Sequence, residues 1–157
     1  MRLTIAAVSQ RPPAWVEDGF ETYAKRLPSD WQVDLKVVKP ADRQAGKTAQ
    51  QNMAIEAQRL DAALKNVPGT RVALDEHGKT VTTESFLQVI QTQQDQQGGV
   101  VFVIGGPDGL DANFKRQCPV SLKLSAMTLP HALVKVLLIE QIYRAYSLAS
   151  GHPYHRP

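Results

Sequence analysis

The residues with the most evident chemical capacity lie at the end of the chain. After Gly151 come His152, Tyr154, His155 and Arg156, so that two imidazoles, a phenol and a guanidinium fall within a few positions. Imidazole titrates near neutral pH, and the two histidines are therefore candidates for acid–base chemistry. Their spacing is also compatible with a metal, but two histidines without a third ligand nearby make a weak site, and we expect no metal. An ordinary polar C-terminus is the alternative interpretation.

A second set of candidate residues follows three short apolar runs. Val100–Ile104 ends at Gly105–Gly109, Val120–Leu124 runs into small and polar residues before Pro130, and Thr70–Leu74 stops at a polar stretch. Glycines without side chains would let a planar ligand lie against the backbone, although the same residues also make ordinary tight turns. In open parallel sheets, ligands bind outside the carboxyl ends of the strands. We therefore expect the three strand ends to form a binding site.

The elements that must position these residues alternate between strands and helices. Apolar periodicity, prolines and capping residues predict the order strand 3–8, helix 15–26, strand 31–38, helix 48–65, strand 70–74, a helix capped by Thr82 or Thr83, strand 100–104, helix 113–117, strand 120–124 and helix 131–149. Strand 31–38 alternates in polarity and is expected at a sheet edge. The pattern predicts an α/β fold with a mostly parallel sheet of about five strands and helices on both faces, in a single domain spanning residues 1–157.

The last helix has an unusually wide apolar arc. Its polar side is predicted to hold only Glu140, Gln141, Arg144 and Ser147, with Glu140 and Arg144 spaced for an ion pair. A monomer's surface helix does not need so wide an arc, so we expect this helix also to contact a second subunit. His131, at the helix start, is expected to cap or pack there, with contact to a ligand as the alternative.

The bulk composition narrows the function classes. The chain has 157 residues, 43% hydrophobic and 21% charged, and one cysteine, Cys118. A single cysteine excludes an internal disulfide. The composition predicts a soluble cytoplasmic protein without a membrane span or signal peptide. Neither a Rossmann glycine motif nor a P-loop is present, which argues against dinucleotide and triphosphate enzymes.

The net charge permits an RNA partner without requiring one. The formal charge is +3, and Lys39, Arg43 and Lys47 make the segment between the second strand and the second helix basic. That segment is either a solvated surface loop or a contact for phosphate.

Three segments together resemble a known family. IGGPDGL, LSAMTLPHALVKVLLIEQIYRAYSL and GHPYHRP are similar to the small SPOUT-class RNA methyltransferases of the RlmH type, and the similarity extends along the whole chain. Those enzymes methylate N3 of a pseudouridine in bacterial 23S ribosomal RNA. Leu129 and Ala132 depart mildly from the family pattern, and neither replaces a functional group.

The resemblance implies a fold detail, a cofactor and an assembly. The implied features are a C-terminal trefoil knot, a homodimer packed through the knot region, and S-adenosylmethionine (SAM) as methyl donor. By position, the residues that contact SAM would be Leu74, Gly105, Leu124, Ser125, Ala126, Met127, Thr128 and Leu129.

The resemblance also assigns the tail to the RNA side, acting at the partner subunit's pocket. His155 would be the base or proton relay, Tyr154 would stack on or orient the base, and Arg156 would stabilise charge on the ring carbonyls. Arg144 would bind phosphate or hold Glu140. A SPOUT enzyme acting on another RNA such as tRNA, and a ribosome-associated protein that binds SAM or RNA without catalysis, are the alternatives.

Overall fold

All five strands lie in one parallel sheet with the order β2-β1-β4-β3-β5. The computed structural model describes residues 1–44 and 46–156. The elements are β1 (Leu3–Val8), α1 (Ala14–Ala24), β2 (Val33–Val38), α2 (Ala49–Ala63), β3 (Thr70–Thr80), α3 (Thr83–Gln97), β4 (Val100–Ile104), α4 (Ala112–Arg116), β5 (Val120–Lys123) and α5 (His131–Ser150), with short 3-10 turns at Ser29–Trp31 and Pro153–His155. The predicted α/β class and strand number are confirmed.

The central strands are buried on both faces because alternate side chains enter two separate cores. Ile5 of β1 and Phe102 of β4 pack with residues of α1, α3 and α5 on one face. Val8 and Val103 pack with α2 and α4 on the other. The sequence of each central strand is therefore continuously apolar rather than alternating, as is typical of a parallel sheet covered by helices.

The edge position of β2 is confirmed, although its start is not. A 3-10 turn occupies Ser29–Trp31, so that Trp31, predicted to start the strand, lies in the turn instead and is buried there. Within β2, Leu35 and Val37 are exposed. Thr48, predicted as the first residue of its helix, is instead the cap of α2, and of the two predicted candidates for α3 it is Thr82 that caps.

Strand β3 is longer than predicted. The polar residues after Leu74 suggest a turn, but the strand continues to Thr80. Both Leu74 and Lys79 pair with Leu122 of β5. Residues 75–78 are therefore unpaired with β5 and form a bulge, called the loop-out below, after which the pairing resumes. Gly78 makes this possible, because a Cβ there would lie 2.6 Å from the carbonyl carbon of Leu122.

Helix α5 packs against α1 and α3, and its polar side is narrower than predicted. Glu140 and Arg144 form the predicted ion pair, with 2.6 Å between Glu140 Oε1 and Arg144 Nη2. Ser147, predicted on the polar side, is fully buried and donates its hydroxyl to the carbonyl of Arg144 at 2.8 Å, which satisfies it without water. No described helix combines the length and apolar character that a membrane crossing requires.

Candidate functional site

Leu74, where the pairing of β3 with β4 ends, meets the carboxyl ends of β4 and β5 at one edge of the sheet, as the sequence predicted, and is taken below as the end of β3 at this edge. The register places Leu74 beside both Ile104 and Leu122. Gly105 follows Ile104 directly, and Leu124 lies two residues beyond Leu122. Because the strands are parallel, the loops that leave them start from neighbouring points on the same edge.

A hollow with two compartments lies outside these strand ends. One compartment has a volume of about 370 Å³ and is lined by the end of β3 and by residues 123–129. The other has about 410 Å³ and is lined by the end of β3, by residues 104–110 and by the start of α5. Leu74, Leu129 and Val134 line both compartments and mark where they meet. Such volumes are typical of small-molecule sites.

The structure brings together every residue that the sequence proposed for the cofactor. Leu74 lines both compartments, Gly105 lines the larger one, and residues 124–129 line the smaller one. Gly105 is required there, because a Cβ at this position would lie 2.7 Å from the carbonyl carbon of Gly109. The loop after β5 is shaped by Ser125, whose Oγ accepts a hydrogen bond from the Met127 amide at 2.9 Å.

Polar groups outside the residues proposed for the cofactor also line the hollow. Asp75, in the loop-out of β3, lies 3.4 Å from the ammonium of Lys115 on α4. Glu76 and His77 follow it along the wall of both compartments. The feature of the sequence that points to these residues is their position, as a polar stretch directly after a buried strand. The Asp75–Lys115 pair joins residues 40 positions apart and could not be found from local pattern.

His131 lies between the hollow and a second, larger cleft. Its Nε2 is 2.7 Å from the carbonyl oxygen of Val8; because a carbonyl only accepts, Nε2 carries the proton and donates. His131 therefore packs at the helix start, as expected, and it also lines the larger compartment. The neighbouring cleft, of about 1060 Å³ at the ends of β1 and β2, shares His131 and Pro107 with that compartment and is lined by Arg11, Lys39, Arg43 and Arg59.

The basic residues predicted for phosphate contact differ in their surroundings. Lys39 lines the cleft and is exposed, Lys47 is exposed but is not part of the lining, and Arg43 is held by two carboxylates. Arg144, the other candidate for phosphate, is engaged by Glu140 through two hydrogen bonds of 3.0 and 2.6 Å. Two roles were expected for Arg144, phosphate binding or a contact with Glu140, and the structure supports the contact with Glu140.

The tail folds back on the end of α5 and is anchored through Tyr154. The phenol donates to Glu140 Oε1 at 2.9 Å. Its ring meets that of Tyr143 edge-on, with 4.7 Å between centroids, and the Arg144 guanidinium lies 5.0 Å from the same ring. Burial and the hydrogen bonds to Tyr23 and Glu140 raise the pKa of Tyr154 above its usual value. The phenol is therefore a fixed hydrogen-bond donor at neutral pH.

His155 and Arg156 are carried on this anchored segment. His155 is half-buried, and its Nδ1 is buried without a hydrogen-bond partner among residues 1–44 and 46–156. Arg156 is exposed. A buried imidazole nitrogen without a partner is uncommon, which indicates that its contact comes from another molecule or from water.

Within one chain, the tail does not reach the hollow. Helix α5 has 20 residues, so its ends are about 30 Å apart. His131 in the first turn lines the hollow, whereas the tail folds back onto Glu140, Tyr143 and Arg144, and none of the described residues 151–156 is among the lining residues. The loops therefore converge as the sequence predicted, and the tail of the same chain does not join them.

A comparison with known families decides the class of this fold. A family model described as "Predicted SPOUT methyltransferase" matches residues 1–155. The chain belongs to the SPOUT methyltransferase family. Within it, curated relatives named "Ribosomal RNA large subunit methyltransferase H" are 50% identical in Janthinobacterium sp. (strain Marseille) and 48% identical in Bordetella pertussis (strain Tohama I), each over 99% of both chains. The resemblance to the RlmH type is confirmed.

Solved structures share the fold at low sequence identity. A probable methylase family protein from Haemophilus influenzae Rd KW20 superposes with a TM-score of 0.56 at 12% identity, covering 99% of this chain and 70% of that one. TrmJ from Z. mobilis ZM4 gives a TM-score of 0.53 at 18% identity, covering 92% of this chain and 70% of that one. These similarities support the SPOUT fold.

Proposed function

We propose that this SPOUT methyltransferase uses SAM to methylate RNA of the large ribosomal subunit. The observation that carries the proposal is the hollow at the ends of β3, β4 and β5, found in a chain of this family whose full-length relatives carry the ribosomal RNA name. The chain spans 99% of those relatives, so the proposal concerns an enzyme of the same length.

The residues of the hollow suit SAM. Leu74, Leu124 and Leu129 offer apolar walls for an adenine ring, and the backbone of residues 124–129 would supply amides and carbonyls to its edge. Gly105 allows close approach of the ligand to the backbone. SAM bound there would supply a methyl group already activated by the sulfonium centre.

For the finer specificity, we propose N3 of a pseudouridine in 23S ribosomal RNA. This imide nitrogen is weakly acidic and must lose its proton before it can accept a methyl group. We assign His155 as the base or proton relay that takes the N3 proton, and Arg156 as the cation that stabilises the charge then shared with the ring carbonyls. Tyr154 would orient the two, because its phenol and ring are fixed by Glu140 and Tyr143.

The tail must then act on the hollow of a second subunit. In one chain the tail packs on Glu140, Tyr143 and Arg144 of α5, and none of residues 151–156 lines the hollow, so a tail does not close the hollow of its own chain in this structure. We propose a homodimer packed through α5, one domain per chain, in which each tail closes the partner's hollow. A trefoil knot formed around the loops after β4 and β5, and a cytoplasmic location beside the ribosome, complete the proposal.

Two measurements test the proposed function. Calorimetry with SAM should give a one-to-one complex per chain, and methyl transfer from labelled SAM should be observed on ribosomal particles from cells that lack this modification. Transfer to tRNA alone would contradict the ribosomal assignment in favour of another SPOUT activity. Binding of SAM without transfer to either RNA, or no binding at all, would contradict the enzyme assignment. His155→Ala with normal turnover would remove histidine from the mechanism.

A further inference from the structure

A buried carboxylate lies directly beneath the glycine turn that follows β4. Glu56 of α2 is only 2% exposed. Its Oε2 accepts hydrogen bonds from the Ala41 amide at 3.0 Å and from Arg43 Nη1 at 2.8 Å. Its Oε1 is buried without a partner among the described residues. Burial of a carboxylate is costly, and this one carries only part of the hydrogen bonding that would offset the cost.

The turn fits against this carboxylate because it begins with glycine. A Cβ on Gly106 would lie 2.8 Å from Glu56 Oε1 and 3.1 Å from Oε2. The backbone of the turn thus rests on the carboxylate with no room for a side chain. Gly109 closes the turn by donating its amide to the Gly106 carbonyl at 2.9 Å.

Arg43 joins the same carboxylate to the exposed tip of the turn. Its Nη1 lies 2.8 Å from Glu56, and its Nη2 lies 3.0 Å from Asp108 Oδ2. A third contact, from Nη1 to the Ala41 carbonyl at 2.8 Å, fixes the guanidinium within its own loop. The hydrogen bond to Glu56 raises the pKa of Arg43, so the guanidinium stays charged at any physiological pH. Charge-assisted contacts of this kind are stronger than neutral ones.

We propose that Glu56 and Arg43 are positioning residues for the methyl-donor site, holding the Gly105–Gly109 turn at the spacing that SAM binding requires. This rests on the proposed function, which places SAM against that turn. Neither Glu56 nor Arg43 lines the two-compartment hollow. Their effect on the ligand is therefore transmitted through Gly106 and Asp108.

Asp108 also lines the larger compartment, so a single substitution there cannot separate a direct contact from positioning. A double-mutant cycle can. We expect Arg43→Ala and Asp108→Ala each to weaken SAM binding about tenfold in calorimetry, and the double variant to bind no worse than either single variant. Additive losses would mean that Asp108 acts on the ligand by itself, and would overturn the proposal.

Hydrogen exchange supplies a readout that does not depend on SAM. The Gly109 amide should exchange about tenfold faster in Arg43→Ala and in Asp108→Ala than in the wild type, because the turn loses its tether. The matched control is Asp61→Ala, which removes the carboxylate of another Arg–Asp pair, with Arg71, outside the hollow. It should leave both SAM affinity and Gly109 exchange unchanged.

The two readouts separate failure of this inference from failure of the proposed function. If the wild type does not bind SAM while the variants still accelerate Gly109 exchange, the tether stands and the proposed function falls. If the variants lower the melting temperature but change neither exchange nor SAM affinity relative to Asp61→Ala, the residues are merely structural and the inference is wrong. Faster exchange with unchanged SAM affinity would equally overturn it.

Discussion

The Glu140 carboxylate accepts hydrogen bonds from three side chains on the tail side of the molecule. One carboxylate accepts from Arg144, from Gln141 at 2.7 Å and from the Tyr154 phenol at 2.9 Å. The sequence predicted the contact with Arg144 from helical spacing, because residues four apart face each other. It could not predict Tyr154, which reaches Glu140 only because the chain reverses after Gly151, in the left-handed conformation with φ of 75°.

Tyr154→Phe tests this anchor through the pH dependence of stability. The pKa of Tyr154 is raised in the folded protein, so the folded state holds its proton more tightly than the unfolded state does. The resulting stability is present below about pH 10 and is lost as pH rises above the ordinary tyrosine pKa. We expect Tyr154→Phe to lower the free energy of unfolding by about 1 kcal/mol at pH 7 and to flatten its alkaline decline.

Denaturant titrations of both proteins between pH 7 and pH 11 measure this difference. Tyr146→Phe is the control for loss of a phenol from the same aromatic cluster, in which Tyr146 contacts Tyr143. Parallel alkaline declines in wild type and Tyr154→Phe would show that the phenol is not anchored as described.

Strand β3 determines the shape of the hollow at the level of whole elements. Its loop-out between Leu74 and Lys79 carries Asp75, Glu76 and His77 along the wall of both compartments. The strand then returns to the ladder against Leu122, and Gly78 is the point of closest approach. The hollow therefore depends on the backbone contact between β3 and β5.

Gly78→Ala should disturb that contact. The added methyl would lie 2.6 to 2.8 Å from the backbone of Leu122, which cannot move as a flexible side chain would. We expect a loss of about 1–3 kcal/mol in the free energy of unfolding and a weaker SAM complex, since β5 leads into residues 124–129. Lys79→Ala, at the exposed neighbour, is the control and should change stability by less than about 0.5 kcal/mol. Unchanged unfolding and SAM titrations for Gly78→Ala would contradict this description of the strand pair.

The sequence was informative for elements whose signal is local. Val100–Ile104 was predicted with its exact ends, since an unbroken apolar run stops at glycine. The extension of β3 was missed because Asp75–Lys79 has the composition of a turn, and its return to the sheet depends on a distant partner, Leu122. Ser147 was misplaced because a helical wheel sorts residues by type, whereas a serine can be buried by bonding its own helix.

The candidate site also has features that the sequence predicted and features that it did not. The three strand ends were predictable, because parallel strands must end at one edge and each was marked by glycine, serine or a polar stretch. The position of the tail relative to the hollow was not apparent from residue types, because it depends on the chain reversal after Gly151 and on the packing of Tyr154 against Glu140 and Tyr143. The bridge from Arg43 to Glu56 and Asp108 joins three separate segments, and local sequence carries no sign of it.

At the scale of the whole molecule, the proposal is that each active site is shared between two chains. The hollow lies beside the start of α5 and the tail packs on Glu140 and Tyr143 of the same helix, so within one chain the tail does not line the hollow. Helix α5 would then serve as spacer and as dimer contact together. Losing the dimer should abolish methyl transfer even where each chain remains folded.

Methyl transfer by mixed dimers tests this shared site most directly. Leu129→Trp blocks the hollow where its compartments meet and keeps the tail, whereas a His155→Ala, Arg156→Ala double variant keeps the hollow and leaves Tyr154 anchored. Each variant alone should be inactive. After subunit exchange at equal concentrations, half of the dimers are mixed and each has one complete site, so about a quarter of the wild-type turnover should return. No recovery of activity, with mixed dimers verified by distinct tags, would contradict the account.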